Sequence, residues 1–153
     1  MNEFLKRDLN FKRALKILEE FMEEEVVANT SKMIRLVLRD DNNYDKVVLQ
    51  YPRLGDFILQ LMKQHNYSAA INQECSAALR NYTRKANFVN NINAQELGTL
   101  VNATRNPKFD KMKFVCLQAV RNIAKSPEHE RYLKQIGASD LIMTSQVANG
   151  GQR

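Results

Sequence analysis

The segment Cys75-Ser76-Ala77-Ala78-Leu79-Arg80-Asn81-Tyr82-Thr83-Arg84 recurs as Cys116-Leu117-Gln118-Ala119-Val120-Arg121-Asn122-Ile123-Ala124-Lys125, with small, apolar, basic and Asn positions matched at a spacing of 41 residues. A period near 40 opening with a small-residue amphipathic helix is the signature of a helical repeat protein. Each unit of such a chain is too small to bury its own apolar face and must stack on its neighbours. That requirement predicts an all-α fold and excludes any architecture that depends on sheet pairing.

Read from its start, the chain carries Phe11, Leu15, Leu18, Met22 and Val26 at helical spacing, which predicts one long helix over Phe4 to Ala28. Asn29-Thr30-Ser31 supplies capping candidates for a second apolar run ending at Asp40-Asp41-Asn42-Asn43, read as a helix boundary followed by a loop. Subtracting 41 from Cys75, Leu79 and Leu100 lands on Ile34, Leu38 and Leu59, all apolar, so a degenerate first repeat is expected before the two clear ones. Pro52 and Gly55 break the chain ahead of a helix over Asp56 to His65.

The second repeat is expected to hold a helix from Ser68 to Lys85, a short helix around Phe88 to Ile92 and a third from Ala94 to Thr104. The next repeat copies it, with Asp110 as a cap, a helix to Lys125, Ser126-Pro127 opening a short helix, Gly137 closing it and Ser139 capping a last helix over Asp140 to Gln146. The expected organisation is a single domain: an N-terminal helix at 1–30, repeat 1 at 31–72, repeat 2 at 73–113, repeat 3 at 114–148 and a tail at 149–153. The tail, Asn149-Gly150-Gly151-Gln152-Arg153, has no apolar pattern and reads as flexible unless held.

These residues resemble the armadillo repeat family. Cys75 to Thr83 and Cys116 to Ala124 match its small-small-x-Ala-Leu-x-Asn-Leu-Ala signature, and Ile92 to Val101 and Leu133 to Ile142 are similar to its linker and second helix. HEAT-type repeats are the alternative at this period. The resemblance implies a short armadillo-like α-solenoid of about three repeats with an N-terminal capping helix, and it implies a scaffold rather than a chemistry. It further implies that Asn81 and Asn122 line a concave groove and hold the backbone of an extended peptide. A second reading stands beside it, in which each Asn caps the adjoining turn of its own repeat.

One turn beyond each Asn is a cation, Arg84 or Lys125, and the residue before each is Arg80 or Arg121. From Gln73 to Lys134 there are eleven Lys and Arg against five Asp and Glu, so the whole formal charge of +6 resides there. A one-sided basic surface speeds encounter with acidic partners and offers charge-assisted hydrogen bonds, and it also serves as a solvated face. Members of the resembled family that carry basic nuclear cargo place Trp where Ala77 and Gln118 stand, and this chain has no Trp, which excludes that role. Nucleic acid, raised by a pI near 9.4, ranks second because no stacking aromatic aligns beside the groove cations, Tyr82 matching Ile123.

Chemistry is not evident. Cys75 and Cys116 occupy equivalent core-facing positions about 10 Å apart in a stack of helices, too far for a disulfide, and are read as free buried thiols. His65 and His129 lack a second ligand at metal spacing. No apolar run spans a bilayer, the first residues lack a secretory signal, and Glu3 and Asp8 interrupt a mitochondrial presequence pattern.

The expectation is therefore a non-catalytic adaptor or structural subunit of a larger assembly, without metal or cofactor. It binds an acidic extended protein segment through Arg80, Asn81, Arg84, Arg121, Asn122 and Lys125, with a nucleic-acid or ribonucleoprotein accessory as the alternative. Its expected compartment is cytoplasmic, with cytoskeletal or ciliary assemblies named by analogy with acidic tubulin surfaces. Leu141, Ile142, Met143 and Val147, having nothing after them to pack on, are read as a docking end.

Overall fold

The computed structural model describes residues 3–142, with side chains from Phe11 onward. These residues form eight α-helices: α1 (Glu3–Glu20), α2 (Glu24–Arg39), α3 (Asp41–Gln50), α4 (Leu54–Gln64), α5 (Ala69–Thr83), α6 (Leu97–Arg105), α7 (Lys113–Ala124) and α8 (Pro127–Gln135). Short 3-10 helices at Ala86–Asn91, Ala94–Glu96 and Pro107–Met112 join them. No strand occurs among the described residues, and none of their helices is long and apolar enough to cross a membrane.

The centre of the molecule is α5, which packs against α2 on one flank, α7 on the other and α4 behind. All three flanking helices can come close because α5 turns small residues outward: Cys75, Ser76 and Ala78 are buried. Ser31 of α2 accepts from the Cys75 thiol at 3.7 Å, and Ser76 of α5 lies 3.9 Å from the Met112 sulfur at the start of α7. Contacts then advance together along each pair, Arg35 to Asn81 and Leu38 to Arg84 on one side, Arg80 to Gln118 and Thr83 to Asn122 on the other. Hence α2, α5 and α7 run parallel. Leu79, Leu38, Leu59 and Leu100 are buried between these layers, each contributing about 1.5–3 kcal/mol of hydrophobic stabilisation.

Several local readings are corrected. The helix expected over Phe4 to Ala28 breaks at Phe21-Met22-Glu23. The cause is charge: Glu19, Glu20, Glu23, Glu24 and Glu25 in one continuous helix would repel at i,i+4 and crowd the negative end of α1. Restarting the helix puts Glu24 and Glu25 in the first turn of α2, where the dipole favours them.

Consequently the boundary drawn at residue 30 falls inside α2, and Thr30 and Ser31 are buried interior residues rather than caps. Thr30 satisfies its hydroxyl on the Val26 carbonyl at 2.7 Å. The loop expected after Asp40 is instead α3, because Asp40 accepts from the Asn42 amide at 3.0 Å as its cap and Tyr44 and Val48, one turn apart, are both buried.

The boundary at 72 falls inside α5 and that at 113 at the first residue of α7. Asp110 does not cap α7: it lies within the 3-10 helix, whose cap is Asn106, accepting from Lys108 at 2.9 Å. Ser68 does cap α5, accepting from Ile71 at 3.1 Å, and Gly137 does end α8 with φ of 82°, the left-handed region open to glycine. Residues 139–142 are helical. Met143, Val147 and the tail at 149–153 lie outside the described residues.

Two buried groups make the packing testable. A Cβ on Gly55 would sit 2.8 Å from Ile92 Cγ1 and 2.9 Å from Tyr82 Cε1, so Gly55→Ala should cost about 1–3 kcal/mol by overpacking in denaturant melts. Gly98, with open space around it, should accept Ala without loss.

His65 is fully buried, its Nε2 has no hydrogen-bond partner, and burial pushes its pKa down. The unfolded chain therefore binds its proton first, so the His65 contribution is intact above about pH 6.5 and declines as pH falls below that value toward the folded pKa. In urea melts at pH 7.5 and 5.5, His65→Leu should lose less stability on acidification than the wild type; equal losses would contradict this account.

Candidate basic groove between α5 and α7

The groove is made by the last two turns of two parallel helices. Residues spaced three and four apart on α5, Arg80, Asn81 and Arg84, face Gln118, Arg121 and Asn122 on α7 across an open depression of about 320 Å³. Five of the six expected site residues thus line one surface. Lys125, one turn past Arg121, is exposed but does not line it.

The two asparagines behave differently from either reading made of them. Asn81, only 9% exposed, donates its amide to the Arg35 carbonyl of α2 at 3.1 Å. Asn122 donates to Thr83 Oγ1 of α5 at 3.2 Å, and that hydroxyl in turn donates to the Leu79 carbonyl at 2.9 Å. Each amide crosses to the preceding parallel helix rather than capping its own turn. One donor of each is spent on the scaffold, while the carbonyl oxygens retain acceptor capacity.

The cations divide into two kinds. Arg84 is bound into the structure: it donates to Asp41 Oδ1 at 2.5 Å and to the Leu38 carbonyl at 3.2 Å, and its guanidinium lies 4.5 Å from the centre of the Tyr44 ring. Leu38 belongs to the last turn of α2, so Arg84 satisfies a carbonyl that has no intrahelical partner. The Arg84 hydrogen bond, then its charge, holds the Asp41 carboxyl below the ordinary carboxylate range. Lys85 follows suit with Asp45 at 2.8 Å.

Arg80 makes a single weak contact, donating to Gln118 Oε1 at 3.3 Å. Arg121 is exposed at the groove wall, and Lys125 has no ion pair among the described residues. The cations available to a ligand are therefore Arg80, Arg121 and Lys125, with Arg84 serving the fold first. Toward α2 the surface changes sign, since Glu74 pairs with Arg35 at 2.6 Å.

The buried reactive groups lie elsewhere. Burial pushes the Cys75 thiol up to about 12 and raises Cys116, and neither is in a disulfide. His129 is fixed by Ser126 Oγ on Nδ1 and by the Ile92 carbonyl on Nε2, both at 2.7 Å.

Sequence reasoning overlooked Phe114, which is 69% exposed. Its signal was present in the helix spacing, because 114, 118, 121 and 125 fall on one face of α7. Compared with known families, with curated proteins and with solved structures, the chain matches none.

The division of labour among the cations has a direct test. Arg84→Met should lower stability by about 1 kcal/mol, from the lost carbonyl cap and surface ion pair, whereas Lys125→Met should cost less than about 0.5 kcal/mol. Equal costs in thermal melts would contradict the separation.

Proposed function

We propose that this chain is a non-catalytic armadillo-type interaction protein, a short α-solenoid of about three repeats behind an N-terminal capping helix, that binds an acidic extended segment of a protein partner. The observation that carries the reading is the convergence of Arg80, Asn81, Arg121 and Asn122 on one groove between parallel helices, with Arg84 at its rim. Carboxylates of the segment accept from Arg80, Arg121 and, one turn on, Lys125, as charge-assisted bonds. The asparagine carbonyl oxygens accept backbone amides of a strand that has no sheet partner.

An adaptor rather than an enzyme is supported by the state of the candidate nucleophiles. A thiol held near 12 supplies no thiolate at neutral pH, and His129 is committed to a hydroxyl and a backbone carbonyl. We infer a subunit of a cytoplasmic assembly, cytoskeletal or ciliary, where acidic surfaces are common partners. The parallel setting of α2, α5 and α7 supports the repeat reading, because stacked equivalent units must align their helices in one direction.

Fluorescence anisotropy with glutamate-rich twelve-residue peptides tests the proposal. Wild type should bind, and Arg80→Glu with Arg121→Glu should weaken binding about tenfold or more. Unchanged binding by the double variant would remove the groove from consideration. Tight binding of single-stranded oligonucleotides with a steep salt dependence, lost in the same variant, would establish the nucleic-acid alternative in its place.

A further inference from the structure

We propose that the segment bound in the groove carries an aromatic or branched aliphatic side chain two to four residues from one of its carboxylates, and that Phe114 of α7 receives it. This rests on the groove reading above and specifies the partner that the groove would select.

Phe114 is the first residue of a row on α7. Gln118, Arg121 and Lys125 follow at steps of four, three and four, which keeps all four on one helical face. Gln118 and Arg121 line the groove, and Gln118 is in contact with Arg80 across it. The register of the two helices, Arg80 beside Gln118 and Ser76 beside Met112, sets Ala77 of α5 at the level of Phe114. The large ring therefore stands beside a small side chain, and the surface between them is apolar while the surface one to two turns further on is cationic.

A lone exposed apolar residue is ordinary on a protein surface. This one is distinguished by its surroundings. Lys111, Lys113 and Lys125 have no ion pair among the described residues, and with Arg80 and Arg121 they make the neighbourhood of the ring strongly positive. An occupant must therefore combine negative charge with an apolar group. A basic or neutral apolar segment would cover the ring but face uncompensated cations, whereas a purely acidic one would leave the ring in water.

Spacing turns this into a sequence rule. From Phe114 to Arg121 is seven helical residues, about 10 Å along the axis. An extended peptide covers about 10 Å in three residues, and the reach of an arginine side chain widens this to two to four. Phe114 acts as an aromatic anchor point and the arginines fix register, a division common at interfaces where few residues carry most of the affinity.

The test is a selection of random twelve-residue peptides displayed on phage against the full chain, with the Arg80→Glu, Arg121→Glu chain as the subtracting control. Enriched peptides should pair acidic residues with an aromatic or aliphatic residue two to four positions away. Phe114→Ser should weaken their binding about tenfold or more, and Phe114→Leu should retain most of it. Replacing the peptide's apolar residue by Ser should weaken binding to wild type and leave binding to Phe114→Ser unchanged. Because the ring is exposed, these variants should keep the wild-type circular dichroism and melting temperature.

Enriched peptides that are acidic without an apolar residue at that spacing, or equal binding by Phe114→Ser, would overturn the inference while the groove reading stands. Absence of any acidic peptide enriched over the control would overturn the groove reading and this inference with it. Binding of oligothymidylate that Phe114→Ser abolishes would assign the ring to base stacking instead, and a concentration-dependent dimer dispersed by Phe114→Ser would assign it to a second copy; either result overturns the proposal.

Discussion

Laying α2, α5 and α7 side by side in one direction brings their negative ends together, and this is the constraint the rest of the molecule answers to. Antiparallel neighbours offset one another's dipoles, whereas parallel ones add theirs, at a cost that falls on the last turn of each helix. The chain meets the cost with cations at those ends. Arg84 spans from α5 to a terminal carbonyl of α2 and to Asp41, while Lys85 reaches Asp45. Much of the basic excess read from composition is thereby explained by architecture. What remains for a ligand is the smaller set around Arg80, Arg121 and Lys125.

The repeat of 41 residues was a reliable guide to the middle of the molecule, because it encodes which side chains α5 and α7 bury. Cys75 and Cys116, Ala78 and Ala119, Leu79 and Val120 are all interior. The same pattern also located the groove, since residues equivalent in sequence come to lie on adjacent parallel turns. It said less about the first forty residues, where helix ends are decided by electrostatics rather than by apolar spacing. Five glutamates between 19 and 25 end one helix and begin another without any glycine or proline to mark the place.

The misread polar residues share one cause. Thr30, Ser31, Asn81 and Asn122 are types favoured at caps, and a cap is the local use of a hydroxyl or amide. In this fold three of them reach another helix instead, and Thr30 returns to its own preceding turn. Such partners lie about forty residues away and are invisible to any window that reads one helix at a time. Asp40 shows the converse: its carboxylate acts locally, and the helix it starts was hidden by the turn-prone residues that compose its first turn.

Burial of the tyrosines has a spectroscopic consequence. With no tryptophan in the chain, its five tyrosines dominate the near-ultraviolet signal. Two of them, Tyr44 and Tyr82, are enclosed against the central helix, the hydroxyl of Tyr44 donating to the Tyr82 carbonyl and its ionisation pushed up to about 12. Their phenolate absorbance therefore emerges in mild alkali only as the helices separate, which gives the molecule a built-in optical gauge of its own integrity.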